Sequence, residues 1–244
     1  MSKPDFIASD VHLGPATRER ERTFLAFLEH IGAQAGTLLI NGDLFDFWFE
    51  YGRVIPGTHF RVLAALADLV DSGVRVTLIG GNHDAWGGRF LRDDVGVEFH
   101  TGLLRTSFAG RPALVAHGDG LGKGDFRYRA LKSIVRSRAI IGLFRAIHPE
   151  IGLRIAQGVS RTETRQDEDV SRNRAAFLQS WGTAQLAADP TLAYVLCGHA
   201  HRPACVEVEP GRYYLNAGDF IKNFTYIVVT PDGKPTLEQW RQRG

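Results

Sequence analysis

The stretch VRVTLIGGNHDAW, residues 74–86, joins an apolar run directly to a polar sequence. Residues 74–79 have the length and composition of a buried strand. Two glycines follow, and then Asn82, His83 and Asp84 place an amide, an imidazole and a carboxylate side by side. Turn chemistry favours Asn, Asp and Gly but does not call for His. A buried strand that ends in ligand-type side chains therefore predicts an α/β domain with a site at its strand ends.

The same succession of strand, polar loop and helix is predicted on both sides of this stretch. Helices are predicted at residues 18–31 and 60–70, each with one apolar face, and a helical block at residues 126–188. The other predicted strands are residues 5–9, 37–40, 97–100, 103–108, 112–117, 192–197, 205–208, 212–216 and 225–229, the last three as a closing meander. We therefore predict a single domain, residues 1–244, in which residues 126–188 form a helical cap insertion.

The composition is that of a globular chain with a small net charge. The 244 residues suit one large domain, and 44% of them are hydrophobic. A formal net charge of +2 is too small to indicate a nucleic acid or a membrane by itself. With two cysteines, no secretory leader pattern and no apolar run of about 18 residues, the sequence predicts a cytoplasmic protein with reduced thiols.

Polar loops with metal-ligand chemistry follow five of the predicted strands. They contain Asp10, His12, Asp43, Asn82, His117, His199 and His201. In the D-x-H and H-x-H pairs, residues i and i+2 point the same way on extended backbone, so both can face one ion. Mixed nitrogen and oxygen donors without thiolate suit Mn²⁺, Fe or Zn²⁺. Seven donors exceed what one ion needs, whereas two ions about 3.5–4 Å apart that share a carboxylate would use them all.

Each of these loops taken alone has an ordinary explanation, because a single His beside a Gly is usually a loop residue. Five such loops in order, each behind an apolar strand, are not explained by turn chemistry. The remaining histidines lie outside the loops, and we expect surface or structural roles for them: His30, His59, His100 and His148.

The blocks DVH, GD, GNHD, HGD and GHAH, which span residues 10–201, resemble the five signature blocks of the calcineurin-like metallophosphoesterase superfamily. The resemblance implies a β-sandwich flanked by helices, with two divalent metal ions, Mn²⁺ first and Fe or Zn²⁺ as alternatives. By position, one ion would be held by Asp10, His12 and His201. The other would be held by Asn82, His117 and His199, with Asp43 as the bridge between them.

The resemblance also implies a catalytic position next to the ligands. His83 would approach the phosphate and the leaving group, and we expect Asp84 to orient its imidazole, as acidic partners commonly do. The alternative for Asp84 is a turn cap that bonds backbone amides.

Two segments resemble a particular branch of this superfamily, the UDP-2,3-diacylglucosamine diphosphatases of lipid A synthesis. They are GDLFDFW, residues 42–48, and HGDGLGKGDFRYRALK, residues 117–132. The resemblance implies hydrolysis of the pyrophosphate bond of UDP-2,3-diacylglucosamine to UMP and 2,3-diacylglucosamine 1-phosphate. The expected substrate-binding residues are Asn82, His83, Asp125, Tyr128, Arg161 and Arg165. For Phe45 and Trp48 both core packing and lipid contact are open at this point.

Two features depart from that branch and favour the wider superfamily. His83 stands where the branch often has Arg, and LNAGDF, residues 215–220, resembles a block of broader metallophosphoesterases. A general phosphoesterase acting on a nucleotide or small phosphodiester is therefore the alternative enzyme. A non-catalytic protein-binding scaffold is a third hypothesis, and the intact set of seven ligand positions and His83 speaks against it.

The predicted insertion is strongly basic. Residues 123–165 contain ten Lys or Arg and three acidic residues, a local net charge of +7, interleaved with apolar residues. This pattern predicts contact with an anionic membrane surface, which would make the protein peripheral on the cytoplasmic face of the inner membrane. The alternatives are direct binding of the substrate diphosphate and a cap packed on the core with solvated arginines. Nucleic acid is not expected, because stacking aromatics are not spaced along the segment.

Overall fold

In the computed structural model of the protein, two β-sheets pack face to face and form its centre. The structure describes residues 3–14, 18–51, 54–84, 86–122, 130, 133–134, 137–152, 154 and 168–241. Within these residues the strands are β1 (Asp5–Ala8), β2 (Thr37–Asn41), β3 (Arg75–Gly80), β4 (Glu98–Thr101), β5 (Leu104–Phe108), β6 (Arg111–Val115), β7 (Tyr194–Cys197), β8 (Ala204–Glu209), β9 (Arg212–Asn216), β10 (Thr225–Val229) and β11 (Pro235–Gln239). The helices are α1 (Arg18–Gly32), α2 (Phe60–Asp71), α3 (Arg138–Ala146) and α4 (Glu168–Ala188), with a 3₁₀ turn at Gly57–His59 and a π turn at Phe90–Asp94.

The strand order brings parallel neighbours to the middle of both sheets. The first sheet has the order β11-β10-β1-β2-β3-β4, and β1, β2, β3 and β4 run parallel to one another. The second sheet has the order β5-β6-β7-β9-β8, in which β6, β7 and β9 are parallel. Parallel neighbours place their carboxyl ends at the same edge, which is the edge where ligands bind in such sheets.

Successive side chains along a strand point to opposite faces of the sheet, and this divides the core into two layers. In β1, Phe6 and Ala8 belong to the cluster that packs against α1 and α2, while Ile7 faces the second sheet. The α1 and α2 helices present their apolar faces to that outer cluster through residues such as Phe27 and Leu66. Ile7 packs instead among side chains of both sheets, including Leu196.

The outer face of the second sheet is covered by α4. Leu178 and Leu186 of α4 are each 1% exposed and pack against Val195 and Tyr214 of the sheet. The helix lies within residues 126–188, so the insertion as we predicted it includes one helix that belongs to the core. The complete arrangement is helix, sheet, sheet, helix, which is the predicted β-sandwich flanked by helices.

The α3 helix occupies a different position, above the segment that follows β2. Phe144 lies 4.6 Å from Phe49 and 5.3 Å from Trp86, measured between ring centroids, and 6.0 Å from Tyr51. The Nε of Arg145 donates to the backbone oxygen of Glu50 over 3.3 Å. Among the described residues, no helix is long and apolar enough to cross a membrane.

Within the described residues the predicted elements agree with the structure except near the C-terminus. Parts of the predicted helical block, residues 126–129, 131–132, 135–136, 153 and 155–167, lie outside the described residues. The strand β11 was not predicted, because its alternation is short and half of it is polar and exposed. The predicted closing meander is wrong: β8 and β9 form an antiparallel pair, but β10 crosses to the first sheet and pairs with β1. Periodicity identifies a strand but not the sheet it joins.

Candidate metal centre

The ends of the parallel strands bring all five polar loops to one place. Asp10 and His12 follow β1, Asp43 follows β2, and Asn82 and His83 follow β3. From the second sheet, His117 follows β6, and His199 and His201 follow β7. Three groups have ligand atoms within 4.8 Å of one another: Asp10, His12 and His201; His12, Asp43 and His83; and Asp43, His117 and His199.

Asp43 occupies the middle of this arrangement. Its Oδ2 lies 3.7 Å from Nε2 of His12 on one side and 3.2 Å from Nε2 of His117 on the other. Asp10 lies on the His12 side, with its Oδ1 3.5 Å from Nε2 of His201. The carboxylate of Asp43 therefore belongs to two ligand groups, which is the geometry that a bridging ligand needs.

The backbone at these residues adopts an uncommon conformation. Asp10, His12, Asp43, His199 and His201 all have positive φ angles, between 51° and 62°. Residues with side chains rarely adopt the left-handed region, and each such residue costs on the order of 1–3 kcal/mol. Strain of this kind is concentrated at functional sites, because the surrounding structure must hold the side chains in one direction.

Two glycines allow the loops to approach each other closely. A Cβ at Gly42 would overlap the ring of His117, and a Cβ at Gly81 would overlap the carboxylate of Asp43. Gly42 also has a φ of 86°, which a side chain would disfavour. The glycines of the GD and GN blocks therefore make room for the ligand side chains of neighbouring loops.

The ring nitrogens that face away from the centre are held by acceptors. Nδ1 of His117 donates to the backbone oxygen of Asn41 over 2.9 Å. Nδ1 of His12 lies 3.3 Å from Oδ1 of Asp46, and Nδ1 of His201 lies 3.7 Å from Oδ2 of Asp219. Carboxylates and carbonyls behind a histidine fix the tautomer that presents Nε2 to a metal ion.

The nitrogens that face the centre fit such an ion. Nε2 of His12 and Nε2 of His117 are buried, and among the described residues neither has a hydrogen-bond partner of normal geometry. Buried polar atoms without a partner are uncommon in native structures and call for an explanation. Imidazole nitrogens and carboxylate oxygens are also the donor types that divalent transition metals accept. The residues present therefore fit two divalent ions.

The charges of the centre are strongly coupled. Burial opposes ionisation of Asp43, but the imidazoles of His117, His83 and His12 together outweigh burial and hold the pKa of that carboxyl well below its ordinary value. Burial likewise acts to lower the pKa of His117, and the carboxylate of Asp43 raises it well above its ordinary value. Burial, together with the charges of His117 and Arg174, lowers the pKa of His199 to about 3. A metal ion at this position would compensate the charge of Asp43 that the imidazole of His117 now faces.

Asp46 and Asp219 were not among the predicted site residues. Asp46 is the third residue after Asp43 in the GDLFD segment, and Asp219 closes the NAGD motif. Asp219 accepts hydrogen bonds from three backbone amides at 2.7–3.0 Å. Although its burial has the opposite effect, the bonds from His201 and these amides lower the pKa of Asp219 to about 2. Both residues are carboxylates close in the sequence to a recognised motif, and this proximity is the signal that could have identified them.

The described hydrogen bonds of the His83 and Asp84 side chains go to backbone groups. Nδ1 of His83 donates to the backbone oxygen of Asp46 over 2.8 Å. The carboxylate of Asp84 is fully buried and accepts from the amides of Gly81 and Leu44 at 2.7 Å, and from that of Asp43 at 3.3 Å. These hydrogen bonds of Asp84 tie the loops after β2 and β3 together, which is what the alternative of a backbone cap predicts.

A cavity of about 960 Å³ opens from this centre along α4. Asn82 and His83 line it together with metal-ligand residues, and so do the cations Arg174, Arg202 and Lys222. Apolar side chains of α4 and β9, such as Leu178 and Tyr214, form part of the wall. The other predicted substrate contacts, Asp125, Tyr128, Arg161 and Arg165, lie outside the described residues.

The aromatic residues of the GDLFDFW segment have two different environments. Phe45 and Trp48 are fully buried, and their rings lie 4.8 Å apart in the core. They pack beside His59, which is also buried and structural. Core packing is therefore the correct explanation for Phe45 and Trp48, and lipid contact is excluded in this conformation because no part of either ring is accessible.

Comparison with known proteins agrees with this geometry. The model of the calcineurin-like phosphoesterase family matches residues 6–203. The UDP-2,3-diacylglucosamine hydrolase of Porphyromonas gingivalis is 28% identical over 249 residues, covering 93% of this chain and 94% of that protein. The hydrolases of the same name from Ralstonia nicotianae and Stenotrophomonas maltophilia are each 32% identical, over 90% and 83% of this chain and 85% and 84% of their own lengths. The chain belongs to the calcineurin-like phosphoesterase family and is a metal-dependent hydrolase.

Proposed function

We propose that this enzyme hydrolyses the pyrophosphate bond of UDP-2,3-diacylglucosamine, giving UMP and 2,3-diacylglucosamine 1-phosphate. The observation that carries the proposal is the centre around Asp43, whose Oδ2 lies between Nε2 of His12 and Nε2 of His117. It is supported by the relatives named UDP-2,3-diacylglucosamine hydrolase, which this chain matches over most of its length.

The proposed ligand sets follow the two groups of the centre that contain His201 and His199, with Asn82 added from its position in the GNHD block. Asp10, His12 and His201 hold one ion, and Asn82, His117 and His199 hold the other, with Asp43 between them. Mn²⁺ is the proposed metal, because mixed imidazole and carboxylate donors without thiolate suit it. When bound, the two ions supply Lewis acidity toward a phosphoryl oxygen and toward an attacking water molecule.

His83 is the proposed general acid. Its Nδ1 donates to the carbonyl oxygen of Asp46 over 2.8 Å, which requires the hydrogen on Nδ1 and fixes the orientation of the ring. Nε2 would then protonate the leaving oxygen of the substrate when the ring is doubly protonated. Asp84 contributes indirectly, because it holds the amides on either side of Asp43 in place.

The test is a hydrolysis assay with Mn²⁺ that compares three substrates: UDP-2,3-diacylglucosamine, bis-p-nitrophenyl phosphate and a cyclic nucleotide. We expect kcat/KM to be highest for the acylated UDP-sugar by at least about 100-fold, because only that substrate fills the cavity and offers a diphosphate. A Asp43→Ala variant, which loses the central carboxylate, is the control for contaminating activity. Equal kcat/KM for the three substrates would contradict the proposal.

The general phosphoesterase remains the second candidate, and two sequence features favour it. His83 replaces the Arg that is common in the lipid A branch, and Asp219 comes from a motif of broader phosphoesterases. Faster turnover of the nucleotide or the small diester in the same assay would support it. Absence of turnover with both metals bound would support the protein-binding scaffold.

The cellular location is proposed from the insertion. Ile134, Leu143 and Ile151 are 58%, 65% and 54% exposed, and they lie in the basic segment with a local net charge of +7. We expect binding to liposomes that contain an anionic lipid, weakened by salt, since each cation near such a surface contributes about 1 kcal/mol. The protein would then be peripheral on the cytoplasmic face of the inner membrane. Equal sedimentation with neutral and anionic liposomes would exclude the electrostatic contribution.

A further inference from the structure

We propose that Arg174 binds the phosphate group of the substrate that is not attacked, and that it thereby selects diphosphates over single phosphoesters. The inference deepens the proposed function and rests on it for the identity of the natural substrate. It concerns a residue on α4 that none of the sequence motifs includes.

Arg174 has an unused hydrogen-bond donor in the wall of the cavity. Its side chain is half-buried and lines the cavity together with His199. The positive charge of Arg174 contributes to the lowered pKa of His199. Nη1 of Arg174 is buried, and in the part of the chain that the structure describes it has no hydrogen-bond partner. A guanidinium nitrogen withdrawn from water without a partner is costly, so an anionic ligand in the cavity would restore a favourable interaction.

The neighbouring cations are paired or exposed. Arg202 also lines the cavity and has a buried Nε without a hydrogen-bond partner, but its Nη2 forms an ion pair with Glu168 of α4. Arg172 is on the same helix, but its side chain is 64% exposed and its Nη1 lies 3.1 Å from Oδ1 of Asp169. Lys222 lines the cavity with an exposed side chain. Within the described residues, Arg174 and Arg202 both line the cavity with a buried nitrogen that has no hydrogen-bond partner, and Arg174 differs in that its guanidinium forms no ion pair with a carboxylate there.

The position of the second phosphate explains what a further anion-binding residue would contribute. Two divalent ions carry four positive charges, and the carboxylates of Asp10 and Asp43 compensate two of them. A disubstituted diphosphate brings one negative charge on each phosphate, so the total charge is already balanced. The ions and His83 would contact the attacked phosphate, whereas the other phosphate would need a donor of its own on the cavity wall. A guanidinium is suited to that role, because its fork of N–H groups matches two phosphate oxygens.

The experiment measures ligand binding rather than turnover. Isothermal titration of the Mn²⁺-loaded protein would use UDP-N-acetylglucosamine, which carries the diphosphate without acyl chains, and UMP, which carries a single phosphate. The variants are Arg174→Ala and, as the matched control, Arg172→Ala, which removes the same charge from the exposed face of the same helix. Arg174→Lys keeps the charge but not the fork, and the melting temperature of each variant checks that it is folded.

We expect Arg174→Ala to weaken binding of UDP-N-acetylglucosamine by about 10–100-fold, the range of a charged hydrogen bond, and binding of UMP by less than about 3-fold. Arg172→Ala should match the wild type with both ligands, and Arg174→Lys should recover only part of the loss. Unchanged affinity of Arg174→Ala for UDP-N-acetylglucosamine would overturn the inference. So would an equal loss of affinity for UMP, or a wild type that does not bind UDP-N-acetylglucosamine.

The outcome is separable from that of the proposed function. If the enzyme does not hydrolyse the acylated UDP-sugar but Arg174→Ala still loses affinity for the diphosphate, the inference stands for another diphosphate substrate. If the acylated UDP-sugar is hydrolysed and Arg174→Ala binds the diphosphate normally, the proposed function stands and the role of Arg174 is refuted.

Discussion

The buried carboxylate of Asp84 provides the sharpest test of how the centre is held together. Asp84→Ala would leave the amides of Gly81, Asp43 and Leu44 without their acceptor. A buried amide without a partner costs about 1–3 kcal/mol, so the three together would cost roughly 3–9 kcal/mol. The substitution also relieves a cost, because burial and the nearby carboxylate of Asp43 raise the pKa of Asp84 from 3.8 to about 6, which corresponds to about 3 kcal/mol.

The middle of that range, about 6 kcal/mol, less the relieved cost of about 3 kcal/mol gives an expected decrease of about 3 kcal/mol in the free energy of unfolding of Asp84→Ala. It would be measured by urea denaturation of the metal-free proteins at pH 7.5. Asp84→Asn retains one acceptor oxygen and should lose about half as much. Because the loop after β2 carries Asp43, metal affinity should fall in parallel with stability, and activity should be partly restored by excess Mn²⁺.

Two results would refute this reasoning. If Asp84→Ala were as stable as the wild type, the three amide hydrogen bonds would not contribute as the geometry indicates. If both variants bound two metal ions normally but lost kcat by about 100-fold, Asp84 would act on the reaction itself, and its predicted role beside His83 would be supported.

The remaining predictions concern three other residues. Asp43→Ala should lower metal occupancy at both sites and abolish hydrolysis, as measured by metal analysis after gel filtration; full turnover with two ions per chain would contradict its central role. His83→Ala should keep both ions and lower kcat by about 10²–10⁴-fold, the range for a general acid, whereas loss of an ion would make His83 a ligand. Burial lowers the pKa of His59 from 6.5 to about 4, so this ring is neutral in the folded protein and binds a proton on unfolding between these values. The free energy of unfolding should therefore fall by up to about 3 kcal/mol as the pH decreases from 7 to 4, and His59→Gln should lack that part of the decrease.

Much of the centre could be predicted because its signals are local. Each ligand follows an apolar strand within a few residues, and the D-x-H and H-x-H spacings describe how side chains project from extended backbone. The succession of strand, polar loop and helix before residue 97 predicted an α/β domain with strands covered by helices for the same reason. Strand β11 and the crossing of β10 into the first sheet were missed, since partner choice depends on residues far away along the chain.

The sequence by itself determined the enzyme class, because the chemistry of Asp10, His12, Asp43, His117 and the H-x-H pair can be identified wherever the strands lie. Only the tertiary structure decided which backbone and side-chain groups hydrogen-bond to the site residues and keep their loops in place. Asp84 contacts amides about 40 residues away, and His83 is held by a carbonyl 37 residues before it. The packing of α4 against the second sheet brings Arg174 into the wall of the cavity. Local pattern encodes the type of each side chain and its direction, whereas its partners are set by the packing of distant segments, which local periodicity does not specify.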